Sequence, residues 1–110
     1  MNLPFAEKAI VDIRKVRDYC LSATHPRGKH KARVFQSVLG MTEKDSDEFT
    51  NALRQAALNC EATQGVSDQF GDRYIVDFPL ERNDKRATIR SSWIVLNGEQ
   101  APRFVTCFLL

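Results

Sequence analysis

Apolar positions along this chain change their spacing near Glu61, from steps of three and four residues to steps of two. Before that point the pattern predicts three helices. Asp12 stands ahead of "IRKVRDYCL", where Ile13, Val16, Tyr19 and Cys20 recur on one face, so a short helix capped by Asp12 is expected, with a basic opposite face. "SATHPRG" carries a residue before proline and a glycine, both of which disfavour helix, and places His25 in a loop. A second helix is expected over Lys29–Leu39, ended by Gly40. Val34, Val38, Phe35, Leu39 and Ala32 form its broad apolar side, with Lys29, Arg33, Ser37, His30 and Gln36 opposite. Lys31 points toward the apolar stripe, either to snorkel past the helix end or to reach across a cleft. The third helix spans "MTEKDSDEFTNALRQAALN", with Thr42 and Asp45 at capping-box spacing, acidic residues in its first turn and Phe49, Leu53, Ala52, Ala56 and Ala57 on one face.

After Glu61 the segments "EATQGVSD", "RYIVDFPL", "RATIRSSWIVL" and "RFVTCFLL" alternate as strands do, separated by "QFGD", "ERNDK" and "NGEQAP". Connections this short, with Asn83-Asp84 and Asn97-Gly98 as turn residues, imply hairpins. The expected fold is therefore α+β: about three N-terminal helices, then a four-stranded antiparallel meander with the helices packed on one face. In the third strand Ile89, Trp93 and Val95 alternate with Thr88, Arg90 and Ser92, so one face is apolar, with Trp93 in the core, and the other is an open polar row. In the last strand Phe104, Thr106 and Phe108 share a side, Val105, Cys107 and Leu109 the other. Alternation alone leaves open whether Thr106 joins the row of Arg90 and Ser92.

The totals fit one ordinary globular domain spanning residues 1–110, with 43% apolar and 27% charged residues. Neither a transmembrane stretch nor a secretory signal is recognisable, so the cytoplasm is the expected location, without membrane attachment. Cys20, Cys60 and Cys107 are widely spaced, which argues against a disulfide framework or a structural zinc site and for buried thiols. The net charge of +2 conceals an asymmetry. Residues 1–40 hold eight Lys/Arg against three Asp/Glu, and residues 41–72 hold two against seven.

The densest basic segment is "HPRGKHKAR", His25 to Arg33, which holds both histidines and four Lys/Arg side chains and no carboxylate. With no carboxylate or cysteine at ligand spacing beside the histidines, a metal site is not expected there, and no cofactor is implied. The second helix would add free backbone N–H groups and the positive end of its dipole, making the segment an anion site even without catalysis.

"HPRGKHKARVF", together with "LPFAEKAIVD", "VRDYCL", "RSSWIV" and "PRFVTCF", resembles a bacterial domain family of unknown function found alone or at the C-termini of toxin-like proteins. Its order of elements is similar to the barnase, EndoU, colicin and RelE-like group of small ribonucleases. Opening on Met1, the chain is expected to lack the family's delivery module, and its ending "CFLL" differs from the shorter polar or proline-containing tails of that family. The resemblance implies a metal-independent ribonuclease acting by 2'-hydroxyl attack on RNA, with tRNA among the targets, and a cognate inhibitor or immunity protein in the same cell. It implies a catalytic set of His25, His30, Lys31, Arg90 and Thr106, with Lys29, Arg33 and Ser92 binding substrate. Histidine serves as base or acid near neutral pH, in an order the sequence leaves open between the two. Lysine and arginine would neutralise phosphate, and the hydroxyls would donate to it. Blander roles stand beside these: His25 as a turn cap, His30 as an exposed helical residue, Arg90 as a partner for Asp77 on the neighbouring strand. At the level of function the alternatives are a noncatalytic RNA- or phosphate-binding module and a protein-interaction domain of a toxin or defence locus.

Overall fold

The computed structural model describes all 110 residues. A 3₁₀ turn at Ala6–Lys8 is followed by α1 (Ile13–Lys15), α2 (Lys29–Leu39), α3 (Ser46–Asn59) and four strands, β1 (Ala62–Ser67), β2 (Gly71–Arg82), β3 (Lys85–Leu96) and β4 (Pro102–Leu109). The strands pair in the order β1-β2-β3-β4, all antiparallel, as the meander requires. The α+β class, the element order and the bounds of α2 agree with the pattern in the sequence.

Three elements differ from that pattern. α1 is a single turn. Asp12 caps it as expected, its carboxylate accepting from the Arg14 amide at 3.0 Å. The chain then widens into a π turn over Val16–Cys20, closed by the Leu21 amide on the Val16 carbonyl at 2.9 Å. α3 begins at Ser46 rather than Met41, because the Thr42/Asp45 capping box closes a 3₁₀ turn at Glu43–Asp45 instead. In β4 an extra residue, Val105, breaks the ladder between Thr106, opposite Ser92, and Phe104, opposite Trp93. That bulge resets the alternation, so Phe104 and Cys107 both face the core instead of opposite sides.

The core lies between the helices and one face of the sheet. Val16, Cys20, Phe35, Leu39, Phe49 and Leu53 from the helical half meet Tyr74, Val76, Phe78, Ile89, Trp93 and Phe104 from the strands. Trp93 is fully buried, and its indole N–H donates to Ser91 Oγ at 2.9 Å, which in turn donates to the Val76 carbonyl at 2.7 Å. Two buried polar groups are thereby satisfied without reaching water. Of the broad apolar side of α2, only Ala32, Phe35 and Leu39 are buried; Val34 and Val38 are exposed. α2 packs on β3, on the π turn and on β4, and these contacts leave the two valines at the surface. Cys20 and Cys107 are buried as expected, while Cys60 is only half-buried.

The N-terminal segment crosses the end of the sheet. Met1 meets β1 through its carbonyl, which accepts from the Ala62 amide at 2.7 Å. Ile10 then pairs in parallel with Arg103 of β4, with bonds of 2.9 Å to Pro102 and Phe104. This bridge brings α1 and the π turn against the free edge of β4, beside the N-terminus of α2.

Candidate functional site

The loop before α2 is built by two side chains. Ser22 is buried, and its hydroxyl accepts from the amides of Thr24 (3.3 Å) and His25 (3.1 Å). His25 then turns its ring back on its own chain, Nδ1 accepting from the amides of Arg27 (3.0 Å) and Gly28 (2.9 Å). The His25 carbonyl accepts from Lys29 at 3.0 Å. The amides of Gly28 and Lys29 are therefore already satisfied at this helix end, which leaves those of His30 and Lys31 for the backbone anion site anticipated from sequence. With Nδ1 an acceptor twice over, the ring proton sits on Nε2, so His25 presents a fixed N–H donor.

Gly28 has no room for a side chain: a Cβ there would lie 2.1 Å from the Tyr19 carbonyl oxygen. The loop thus packs directly on the π turn, and the Tyr19 ring meets the His25 ring edge-on, with centroids 4.8 Å apart. Lys31 reaches across the cleft rather than snorkelling outward. Its Nζ donates to Thr106 Oγ1 at 2.8 Å and lies 5.3 Å from the centre of the Tyr19 ring. The β4 bulge at Val105 lies beside this threonine, in the wall of the groove.

These side chains line a groove of about 670 Å³ whose other walls include Asp12, Arg14, Lys15, Asp18 and Val105. Lys31 forms an ion pair with none of the carboxylates. Asp12 is held by Arg14, whose hydrogen bonds draw its carboxyl down to about 2. Asp18 is held by Arg17, which lowers it likewise. Lys15 donates to the Phe104 carbonyl at 3.0 Å on the edge of β4. Beneath the groove Cys107 Sγ donates to Cys20 Sγ at 3.7 Å, which lowers the Cys20 thiol, with the Lys31 charge acting in the same direction, while the same contact and burial push Cys107 up. No three His, Cys, Asp or Glu side chains converge where they could hold a metal ion.

The residues singled out from sequence are thus divided among several places. His25, Lys31 and Thr106 come together. Lys29 and Arg33 line a second groove of about 580 Å³ on the other flank of α2, and His30 is exposed. Arg90 lies on the sheet face away from the helices, in a two-pronged pair with Asp77 at 2.9 and 2.8 Å. Arg90 does not join the basic site, because alternation in β3 turns it away from Ile89 and Ser91, which face the core. Ser92 lies opposite Thr106 in the ladder, but its hydroxyl takes no part in the Lys31 contact. Tyr19 and Lys15 were missed as site residues. The basic face of the first helix pointed to Lys15, whereas Tyr19 reads from spacing as a core residue and enters the site through the π turn.

No helix of the protein is long and apolar enough to cross a membrane. A search of curated proteins finds no match. Among solved structures, the fold is similar to a chain of the contact-dependent growth inhibition toxin–immunity protein complex from Klebsiella pneumoniae 342, with a TM-score of 0.69 and 19% identity over 93% of this chain and 100% of that one. Residues 2–110 match the model of one family, so the chain belongs to the domain of unknown function DUF6883.

Proposed function

We propose that this domain is a metal-independent ribonuclease of bacterial toxin type. The observation that carries the reading is the un-neutralised Lys31 ammonium, bound to Thr106 Oγ1 at 2.8 Å and flanked by Tyr19 and His25 in an open groove. A phosphodiester seated there would meet a cation, a hydroxyl and the fixed Nε2–H of His25, the kind of donor set that stabilises charge growing on phosphate oxygens. The fold shared with a chain of a toxin–immunity protein complex supports the toxin reading, and a cognate inhibitor follows from it, since an intracellular ribonuclease must be silenced in its own cell. RNA, tRNA included, as substrate places the action in the cytoplasm.

Cleavage through the 2'-hydroxyl also needs a group that moves protons. His25 is poorly suited to it, because taking a proton at Nδ1 would break two backbone hydrogen bonds. The role falls to His30, whose ring makes no hydrogen bond to the protein and which sits exposed on the first turn of α2. Lys29 and Arg33 bind substrate beside it. Arg90, tied to Asp77, and Ser92, outside the Lys31 contact, are assigned no catalytic part.

The commitment of His25 to the backbone also favours a second reading, a noncatalytic RNA-binding module using the same cations. One assay separates them. The wild type, His30→Ala and Lys31→Met are incubated with total bacterial RNA in EDTA, and the products are tested for 2',3'-cyclic phosphate ends. Discrete fragments with such ends from the wild type, absent with Lys31→Met, are expected. Intact RNA across several RNA classes, with salt-sensitive binding retained, would leave the binding module as the function.

A further inference from the structure

Two grooves open on opposite flanks of the first turns of α2. At about 100° per residue, Lys29 and Arg33 lie within about 40° of each other, Lys31 about 180° from their midpoint, and His30 in between. The groove on the Lys29 side has a volume of about 580 Å³ and contains three cations, Lys29, Arg33 and Lys44. None of the three is ion-paired. The carboxylate in this groove is Glu43, one oxygen of which accepts from the Ala23 amide at 3.3 Å. Lys44 is carried on a rigid support, the 3₁₀ turn Glu43–Asp45, closed by the Thr42/Asp45 capping box and by Ser46 Oγ donating to the Glu43 carbonyl at 2.6 Å.

We propose that this second groove binds a backbone phosphate of the same RNA strand whose scissile phosphate lies at Lys31, with Lys44 as a substrate-binding residue. The strand then crosses the first turn of α2 over His30. The inference rests on the reading of the Lys31 groove as an RNA site. An α-helix with its side chains is about 10 Å across, so filling both grooves takes more than one phosphodiester linkage. A dinucleotide fills one groove only, and an oligonucleotide fills both.

The test compares KM for a ribodinucleotide and for a single-stranded oligoribonucleotide containing the same cleavable step. Wild type, Lys44→Ala, Arg33→Gln and, as a control remote from both grooves, Arg54→Ala are measured, each verified as folded by thermal melting. In the wild type the oligonucleotide should have the lower KM. Lys44→Ala and Arg33→Gln should each cut that advantage about tenfold or more, the size of one charge-assisted contact. Each should also reduce the log–log salt slope of oligonucleotide binding by about 0.7. An advantage unchanged in both variants overturns the second groove while wild-type cleavage leaves the ribonuclease reading standing. If the wild type cleaves neither substrate, the ribonuclease reading fails, and fluorescence anisotropy with the labelled oligonucleotide decides the strand path. Weaker binding by both Lys31→Met and Lys44→Ala supports it, and weaker binding by Lys31→Met alone overturns it.

Discussion

A lysine ammonium beside a threonine hydroxyl and a tyrosine face, with no carboxylate to neutralise it, has one obvious chemical complement, an anion. Lys31→Met keeps the length and apolar stem of the side chain and removes only its charge and donors. Cleavage should fall by about 10²-fold or more, the usual cost of removing a donor aimed at developing charge, while the melting temperature stays near that of wild type. His25 calls for a different experiment because its ring has a structural task. His25→Ala leaves the Arg27 and Gly28 amides unpaired and should cost about 1 kcal/mol, as loss of a helix cap does. His25→Asn supplies another local acceptor and should recover most of that stability in urea titrations. Equal destabilisation by both variants would mean the Nδ1 bonds contribute nothing. Gly28→Ala tests the seat of the loop. A new Cβ meets the Tyr19 carbonyl oxygen at 2.1 Å, so backbone must move, at about 1–3 kcal/mol, and Tyr19 moves with it.

Among the elements, legibility followed how local the determining forces are. α2 has the bounds its periodicity indicates, and it ends at Gly40 in the left-handed conformation, φ 66°, because both depend on residues within a turn of one another. The hairpin at Asn83-Asp84 was legible for the same reason, Asn83 taking a positive φ of 54°. The π turn and the β4 bulge were not legible. Each adds one residue to a regular ladder to fit a neighbour, and neither leaves a mark in hydrophobic spacing. Those two irregularities frame the site, so Tyr19, carried in by the π turn, was not readable from spacing, whereas Lys31 follows from the regular face of α2 and Thr106 from the family resemblance alone. Arg82 is a further case. It lies in β2 far along the chain from its partners, yet donates to the carbonyls of Leu39 and Gly40 at 3.1 and 3.0 Å and pairs with Asp45 and Glu48. One guanidinium thus fastens the end of α2, the start of α3 and the hairpin. Arg82→Met should destabilise the fold by about 2 kcal/mol in urea, since two carbonyls and two carboxylates lose a shared donor. A loss within about 0.5 kcal/mol would mean that water replaces it fully.

At the scale of the whole molecule, charge is arranged so that the carboxylates flanking α1 and most of those on and between the strands are locked to arginine while the cations around the start of α2 stay free. Asp12, Asp18, Asp68, Asp77 and Glu99 all sit below their ordinary values, chiefly through hydrogen bonds from Arg14, Arg17, the Phe70 amide, Arg90 and Arg103 respectively. A carboxyl depressed in the folded state contributes stability that is present above its unfolded value, about 3.9 for Asp and 4.3 for Glu, and is lost as pH falls through the folded value. The melting temperature should therefore hold level from pH 8 to about pH 5 as far as these groups govern it, and decline below about pH 4. Because the pairs lie at the surface, each contributes little, and 1 M salt should flatten the acid limb. Neutralising these carboxyls leaves an excess of positive charge whose self-repulsion grows around α2, where no partner offsets it. An added polyanion should then raise the melting temperature most at low salt and acid pH, and should do so less in Lys31→Met and Lys44→Ala than in Arg54→Ala. Equal stabilisation of all three variants would place polyanion binding elsewhere on the surface and separate the molecule's charge asymmetry from its site.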